Sequence, residues 1–487
     1  MTDVPNNPDE PKVPAPPDAG DRPQVGVDEW VASVEGRRAD RSLALRAYGR
    51  VPAPAQLIVV VAAVCALPFL LNSGDLFVYG LFTLLYALLG LGLNVVVGFA
   101  GLLDLGYVAF YGIGAYGYAL LASPKYDLHW QAELAIPVVM VGTALIGLIL
   151  GFTSRRLLGD YLAIVTLFFG QAFVVFVNNA NPHNITGGAN GIAPTDPLSI
   201  FGYELTTTRQ YYYFLVIAVL VVMAGLWSLL RSRTGRAWQA LREDPLAAEM
   251  MGTPVNRLKI VAFAFGAGIA GLAGAIFAAV STGIAPGAFD TSVLITIYAI
   301  VILGGTGSLV GVVLGAVVIN VTYEALSPST PSTGRWIFYL ALVIAILARI
   351  RPWPKLAFVV GGTAAFGFAV HAIAGAVSSS ATAGPVTEGG SLTGFIKHWV
   401  IIPEHPGSAA KYAYVGLVVA VVALTRLSGW SRAIALIPVL YLTAFVWENL
   451  MIEQPAVARL IIFGALLIAI MQVRPQGLLG TSRVEIV

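Results

Sequence analysis

Asn94, Asp104, Thr166 and Gln171 are polar residues set in or beside long apolar runs. In hydrocarbon an unsatisfied polar group is costly, about 2.5–3.5 kcal/mol for a charged one at a helix centre. Each of the four therefore either lines a polar path for a solute or holds helices together by a hydrogen bond. Asp104 falls at a turn between two runs, where its carboxylate would equally cap a helix beginning at Leu105. Asp160, just ahead of another run, reads as a cap. This is the chemistry of recognition rather than of bond breaking. The chain carries no G-x-x-x-x-G-K-[ST] phosphate loop, no H-E-x-x-H and no G-x-S-x-G. Its five histidines (His129, His183, His371, His398, His405) are scattered, and four fall in loops expected outside. The single cysteine, Cys65, excludes an intrachain disulfide and any cysteine-based zinc or iron–sulfur site.

Two strings match G-x-G-x-x-G: Gly112-x-Gly114-x-x-Gly117 and Gly266-x-Gly268-x-x-Gly271. Both lie inside apolar helical runs, not at a strand-to-helix turn, so they read as small-residue packing faces rather than dinucleotide sites. Gly307, Gly311 and Gly315 recur every four residues and predict one such face as well.

The stretch 231–259 has legible local signals. Asp244 is a good N-cap, Pro245 fits the first helical position, and Gly252 fits the position past the end. Leu246 and Met250 share a face at i,i+4, with Ala247 and Ala248 beside them and Arg242, Glu243 and Glu249 as polar flanks. A short capped helix with an apolar face suits a groove on a partner protein, or a surface position against lipid headgroups.

The elements that must position these residues are membrane spans. Of the 487 residues, 57% are hydrophobic and 11% charged, against about 25% charged in an ordinary soluble domain. The net charge of +2 gives no electrostatic case for nucleic acid. Apolar runs lie at 56–71, 77–99, 103–122, 132–153, 160–178, 211–230, 260–281, 292–320, 335–350, 356–377, 412–425, 433–447 and 458–473. The run 292–320 is interrupted by Gly304-Gly305-Thr306-Gly307-Ser308 and predicts two half-helices or a re-entrant hairpin. Counted as a pair with the N-terminus inside, it leaves fifteen Lys and Arg on inner loops (among them Arg231, Arg233, Arg236, Arg242, Arg257 and Arg351) against six outside (Lys125, Arg209, Arg335, Lys397, Lys411, Arg459). That bias is the positive-inside pattern, and counting one span would invert everything after it. The predicted fold class is thus an all-α, polytopic transmembrane helix bundle with re-entrant or broken helices.

Residues 1–50 differ from the rest. They are rich in proline, hold nine acidic and seven basic residues, and predict a disordered cytoplasmic tail rather than a cleavable leader. Residues 335–346 also match 459–470 after a shift of 124, from Arg335 on Arg459 to Ile346 on Ile470, and each copy is followed by Arg-Pro. Either chance or an insertion explains this. The expected organisation is the tail 1–50, a permease core 51–350, an insertion with further spans at 351–456, and a last span with a cytoplasmic end at 457–487.

At these residues the chain resembles the inner-membrane permease subunits of branched-chain amino acid ABC importers, of the LivM type, with the urea permease UrtC as a close relative. The resemblance rests on Leu91–Gly106, Gly112–Tyr116, Gly159–Leu167, Ile185–Ile192, the 233–259 loop, Leu303–Gly311, and the tail Arg474–Gly480 with Arg483–Ile486. It implies import of leucine, isoleucine or valine, with urea or short amides as the alternative. It also implies a second permease of the LivH type, two ATPases of the LivG and LivF types, and a substrate-binding protein. ATP and Mg would be handled by those ATPases, this chain binding no cofactor. The segment Arg242, Glu243, Asp244, Pro245, Leu246, Ala247, Ala248, Glu249, Met250 and Gly252 is similar to the family's ATPase-coupling loop. The turn-rich outer loop 179–210 would then receive the binding protein. The long tail and the stretch 352–456 depart from the family pattern. A secondary transporter would need more ionisable groups within the spans, and a membrane enzyme a nucleophile–base or metal constellation.

Overall fold

The computed structural model describes residues 64–126, 128–154, 157, 159–179, 185–200, 202–325, 353–378, 380, 382, 384, 397–403, 407–427, 429–453, 464 and 477–479. Outside the described residues lie the tail 1–50, the start of the run 56–71, the run 335–350 and nearly all of 458–473, and with them the internal similarity, His183, His405, Arg474 and Arg483. Residues 64–70 are helical and belong to a first compact unit, Met1–Leu70; the second unit is Leu71–Val487.

The second unit is a multi-pass membrane bundle. Among the described residues, eight helices are long and apolar enough to cross a bilayer, and shorter apolar helices accompany them. In chain order, with two short helices of the polar stretch after α5 (α6 and α7) included, the helices are α1 (Ser73–Phe99), α2 (Tyr107–Leu121), α3 (Ala132–Ser154), α4 (Asp160–Asn179), α5 (Thr208–Arg231), α6 (Arg233–Glu243), α7 (Pro245–Met250), α8 (Val255–Val280), α9 (Thr291–Gly304), α10 (Leu309–Ala325), α11 (Trp353–Val377), α12 (Gly407–Arg426) and α13 (Gly429–Glu453). The sheet content among the described residues is a two-residue hairpin, β1 (Ser199–Ile200) with β2 (Tyr203–Glu204).

Burial separates the core from the rim. In the most apolar window of each helix, 72% of α1 and 67% of α8 are buried, against 28% of α3, 28% of α4 and 22% of α5. The exposed remainder of α3 to α5 is apolar (Leu145, Ile149, Phe168, Phe176, Val221), as a lipid-facing surface requires. Helix α8 reaches the core because it is stripped of bulk where others cross it. A Cβ added at Gly114 on α2 would collide with the Gly271 backbone on α8, and one added at Gly274 with the Tyr111 carbonyl. The two dinucleotide-like strings therefore meet at a helix crossing through Gly114 and Gly271, while their other glycines admit neighbours on α1, α3 and α4.

Helix α1 is not uniform. Leu76–Leu81 and Asn94–Phe99 are π-helical, and the α-helical Phe82–Leu93 lies between them. Such wide turns leave backbone carbonyls for partners elsewhere. At the first, the Asn320 side chain on α10 donates to the Val78 carbonyl at 2.9 Å and to Thr83 Oγ1 at 2.8 Å.

The run 292–320 forms two helices, α9 and α10, folded against each other about a break at Gly305–Ser308. Ser308 caps α10 by accepting the Gly311 N–H at 3.0 Å. Gly311 and Gly315 press on α9 so closely that a Cβ on either would strike the carbonyls of Gly304 or Ile300. Gly307 does not share their face. It lies before α10 with φ +85°, and Gly305 has φ +111°, so both serve the turn. The expected three-glycine stripe is thus a pair on α10 opposite Gly304, preceded by a turn glycine. The segment Gly477–Leu479 lies along the end of α9, where Leu478 and Leu479 N–H donate to the carbonyls of Leu303 (2.8 Å) and Gly304 (3.0 Å).

Helices α11 to α13, in the stretch read as an insertion, pack on one another around Val359 and Ala433. The 397–403 segment is pinned between them: Trp399 Nε1 donates to the Ala364 carbonyl at 3.0 Å, and Asn449 to that of Ile401 at 3.2 Å.

Candidate functional site

The polar stretch after α5 holds two helices, not one. Sequence signals pointed to 244–252; α6 ahead of it was missed, although Ser232 is its N-cap and accepts the Gly235 N–H at 3.4 Å. Helix α6 is amphipathic. Trp238 and Leu241 are fully buried, and the Trp238 indole N–H donates to the Leu258 carbonyl on α8 at 3.0 Å. This anchors the segment to one of the two most buried helices of the bundle.

Helix α7 has the ends its residues dictate. Asp244 Oδ1 accepts the N–H groups of Leu246 (2.8 Å) and Ala247 (3.0 Å), with Pro245 at the first helical position. At the other end Gly252 is left-handed (φ +79°), and the N–H groups of Gly252 and Thr253 return to the carbonyls of Glu249 (2.9 Å) and Ala248 (3.0 Å). That double bond is the Schellman closure. Leu246, Met250 and Met251 are 71%, 88% and 86% exposed. Glu243, Ala247 and Glu249 are exposed too, whereas Ala248 is buried and belongs to the opposite side, not to the Leu246–Met250 face. A capped helix and its C-cap thus present three large apolar side chains on a base fixed by a buried tryptophan, a candidate docking surface.

Arg242 parts company with its neighbours. Its side chain turns to the bundle, where one guanidinium nitrogen donates to the Gly98 carbonyl at 2.6 Å and the other approaches Thr306 Oγ1 at 3.4 Å. Asn94 lies in the same seam. It is fully buried, and its Oδ1 accepts the Gly307 N–H at 2.9 Å, tying the second π-helical turn of α1 to the tip of the α9–α10 hairpin.

Asp104 and Thr166 come together. Residues 100–106 are not helical; α2 starts at Tyr107, two residues later than the sequence implies, with Gly106 at its N-cap. Asp104 is fully buried, and its Oδ1 accepts the Gly106 N–H at 2.9 Å, a turn just outside the helix rather than a cap of a helix from Leu105. Its Oδ2 has no hydrogen-bond partner, nor does the buried Tyr107 hydroxyl. Thr166 on α4 accepts the Leu105 N–H at 2.9 Å. Tyr298 on α9 was not singled out in the sequence; its hydroxyl donates to the Asp104 carbonyl at 2.6 Å and accepts the Asp104 N–H at 3.1 Å. Gln171 stands apart, donating to Thr291 at the start of α9 at 2.8 Å.

The opposite end is closed by backbone and side-chain bonds together. Ile192 and Ile284 exchange both N–H···O bonds (3.0 and 2.9 Å), Asp196 N–H reaches the Ala122 carbonyl at 2.8 Å, and Thr195 Oγ1 donates to that of Ala278 at 2.7 Å. His129 and Asp196 pair at 2.6 Å. Of the expected outer loop, 185–200 and 202–210 are described, and 180–184 lie outside the described residues.

Comparison with known proteins places the chain in a family. Residues 77–348 match the family model described as the permease component of the branched-chain amino acid transport system. The chain is 40% identical to the high-affinity branched-chain amino acid permease LivM of Escherichia coli K12 over 294 residues, 55% of this chain and 68% of the relative. It is 38% identical to LivM of Salmonella typhimurium over the same length. It is 26% identical to LivH of Salmonella typhimurium over 279 residues, 54% of this chain and 88% of the relative. No solved structure matches. The matched region holds nearly all of α1, then α2 to α10 with the α6–α7 segment and the polar seam, and the chain belongs to the family of permease components of branched-chain amino acid transport systems.

Proposed function

We propose that this chain is the LivM-type half of an ATP-driven importer that carries leucine, isoleucine and valine across the bacterial cytoplasmic membrane. The observation that carries the mechanism is α7: an exposed apolar face whose base is rigidly joined to the bundle. An ATP-driven pore is a two-state device, and nucleotide can bias its two states only through differential contact. This chain has no phosphate loop, so the bias arrives by docking. The α7 face is the docking element for one of two ATPases of the LivG and LivF types, which bind ATP and Mg. This chain binds no cofactor and performs no covalent chemistry. A LivH-type permease completes the membrane path, and the opposite end, with its 185–200 loop, receives the substrate-binding protein. The α6–α7 end faces the cytoplasm, as do both termini. Among the described residues, Asp104 Oδ2, Asn94 Nδ2 and the Tyr107 and Tyr116 hydroxyls are buried polar atoms without a hydrogen-bond partner, and they are the candidates for meeting a solute.

The test is purification of the whole assembly, reconstitution in liposomes, and uptake of labelled leucine with isoleucine and valine as competitors. Uptake is expected only with ATP, both ATPases and the binding protein present. Transport by this chain alone, or failure to associate with ATPases, would overturn the reading.

A further inference from the structure

We propose that Arg242 is the positioning residue through which movement of α7 enters the membrane bundle. This rests on α7 being the ATPase-docking helix. Arg242 lies on α6 two residues before Asp244, the N-cap of α7, so displacement of α7 carries it along. Unlike Leu246, Met250 and Met251, it is not offered to a docked partner. Its guanidinium bonds the Gly98 carbonyl in the second π-helical turn of α1 and meets Thr306 in the break between α9 and α10. The planar fork of arginine can hold two acceptors on different elements at once, which a lysine ammonium on a single stem does less well.

The surroundings are shaped for that side chain. Gly101 packs beneath it with φ +70°, and a Cβ there would stand 3.1 Å from the Arg242 Cα and Cγ. A Cβ at Gly307 would stand 2.6 Å from Nη1. The two backbones the guanidinium joins are irregular at the contact: a π-helical turn on one side, and on the other a turn flanked by the positive-φ residues Gly305 and Gly307. They are also joined to each other by the Asn94–Gly307 bond. A push on α6 therefore reaches the inner end of α1 and the hairpin tip together, at the places where each chain departs from regular helix. Such stretches change conformation at lower cost than a continuous ladder, as the frequent placement of π-bulges at functional sites implies.

The experiment compares the complete assembly of wild type, Arg242→Lys, Gly307→Ala, Thr306→Val and Met250→Glu in proteoliposomes. Two quantities are read: ATPase subunits retained on purification, and labelled leucine moved per ATP hydrolysed. Arg242→Lys and Gly307→Ala are expected to retain the ATPases at the wild-type level and to move about tenfold less leucine per ATP, with a smaller loss for Thr306→Val. A residue that only supports folding would lower the yield of assembly and leave the ratio untouched; that result, or a wild-type ratio in Arg242→Lys and Gly307→Ala, overturns the proposal. Failure of all three variants to assemble would assign the contact to fold maintenance and overturn it too. Met250→Glu tests the docking reading separately. Full ATPase retention there removes the docking role of α7, whatever the Arg242 ratio shows.

Discussion

The two ends of the bundle are closed by different means. At one, segments distant in sequence are sewn backbone to backbone, Ile192 to Ile284 and Asp196 to Ala122. At the other, besides the backbone bonds of Leu478 and Leu479 to the end of α9, the joints run through side chains: Trp238 to Leu258, Arg242 to Gly98 and Thr306, Asn94 to Gly307. Backbone pairing fixes distance and register together, whereas a side chain can release one acceptor and take another. The first end has the construction of a lid, the second that of a joint.

Substitutions can break this contrast. The largest effect is expected for Trp238→Ala, which removes a fully buried indole and its bond to α8; core truncations of this size cost about 3–5 kcal/mol. A loss of α6–α7 protection in hydrogen exchange, with the spans still protected, would check it. Gly315→Leu comes next. A side chain there collides with the Ile300 carbonyl, and overpacking typically costs about 1–3 kcal/mol; a lower melting temperature of the purified assembly is the readout. Glu249→Arg and Gly252→Leu alter α7, Glu249 also lying close enough to Lys259 on α8 to interact with its charge. They are expected to uncouple ATP hydrolysis from uptake while the membrane subunits still co-purify, and normal uptake would deny α7 its role. The smallest effect is expected for His129→Ala. Its partner-facing side chain is 52% exposed and that of Asp196 is 29% exposed, and such pairs are worth about 0–1 kcal/mol. A melting temperature within a degree or two of wild type would show that the His129–Asp196 contact adds little to the closure of that end.

Much of this was legible in the chain itself. Apolar runs gave the spans, the 304–308 glycines gave the hairpin, and Asp244, Pro245 and Gly252 gave α7 to the residue, because caps are local chemistry. What escaped was tertiary. Nothing in the 231–243 stretch announces that Trp238 buries itself on α8, or that Arg242 turns inward while its neighbours face out. Tyr298 lies in an unbroken apolar run, and its bonds to Asp104 span 194 positions. The π-helical turns of α1 leave no compositional trace, and their partners Asn320 and Gly307 come from the hairpin more than 200 positions away.

The seam at Gly477–Leu479 has a temporal consequence. The carbonyls of Leu303 and Gly304 receive their donors from residues about 170 positions downstream. At ordinary synthesis rates of about 5–20 residues per second, the ribosome works on for about 10–35 s after α9 has emerged before those donors exist. During that interval the hairpin must sit in the bilayer with its end unfinished, dependent on water, lipid headgroups or insertion machinery. A nascent chain stalled short of Leu478 would carry the same open end indefinitely, and would present quality-control proteases with a mark that the finished protein lacks.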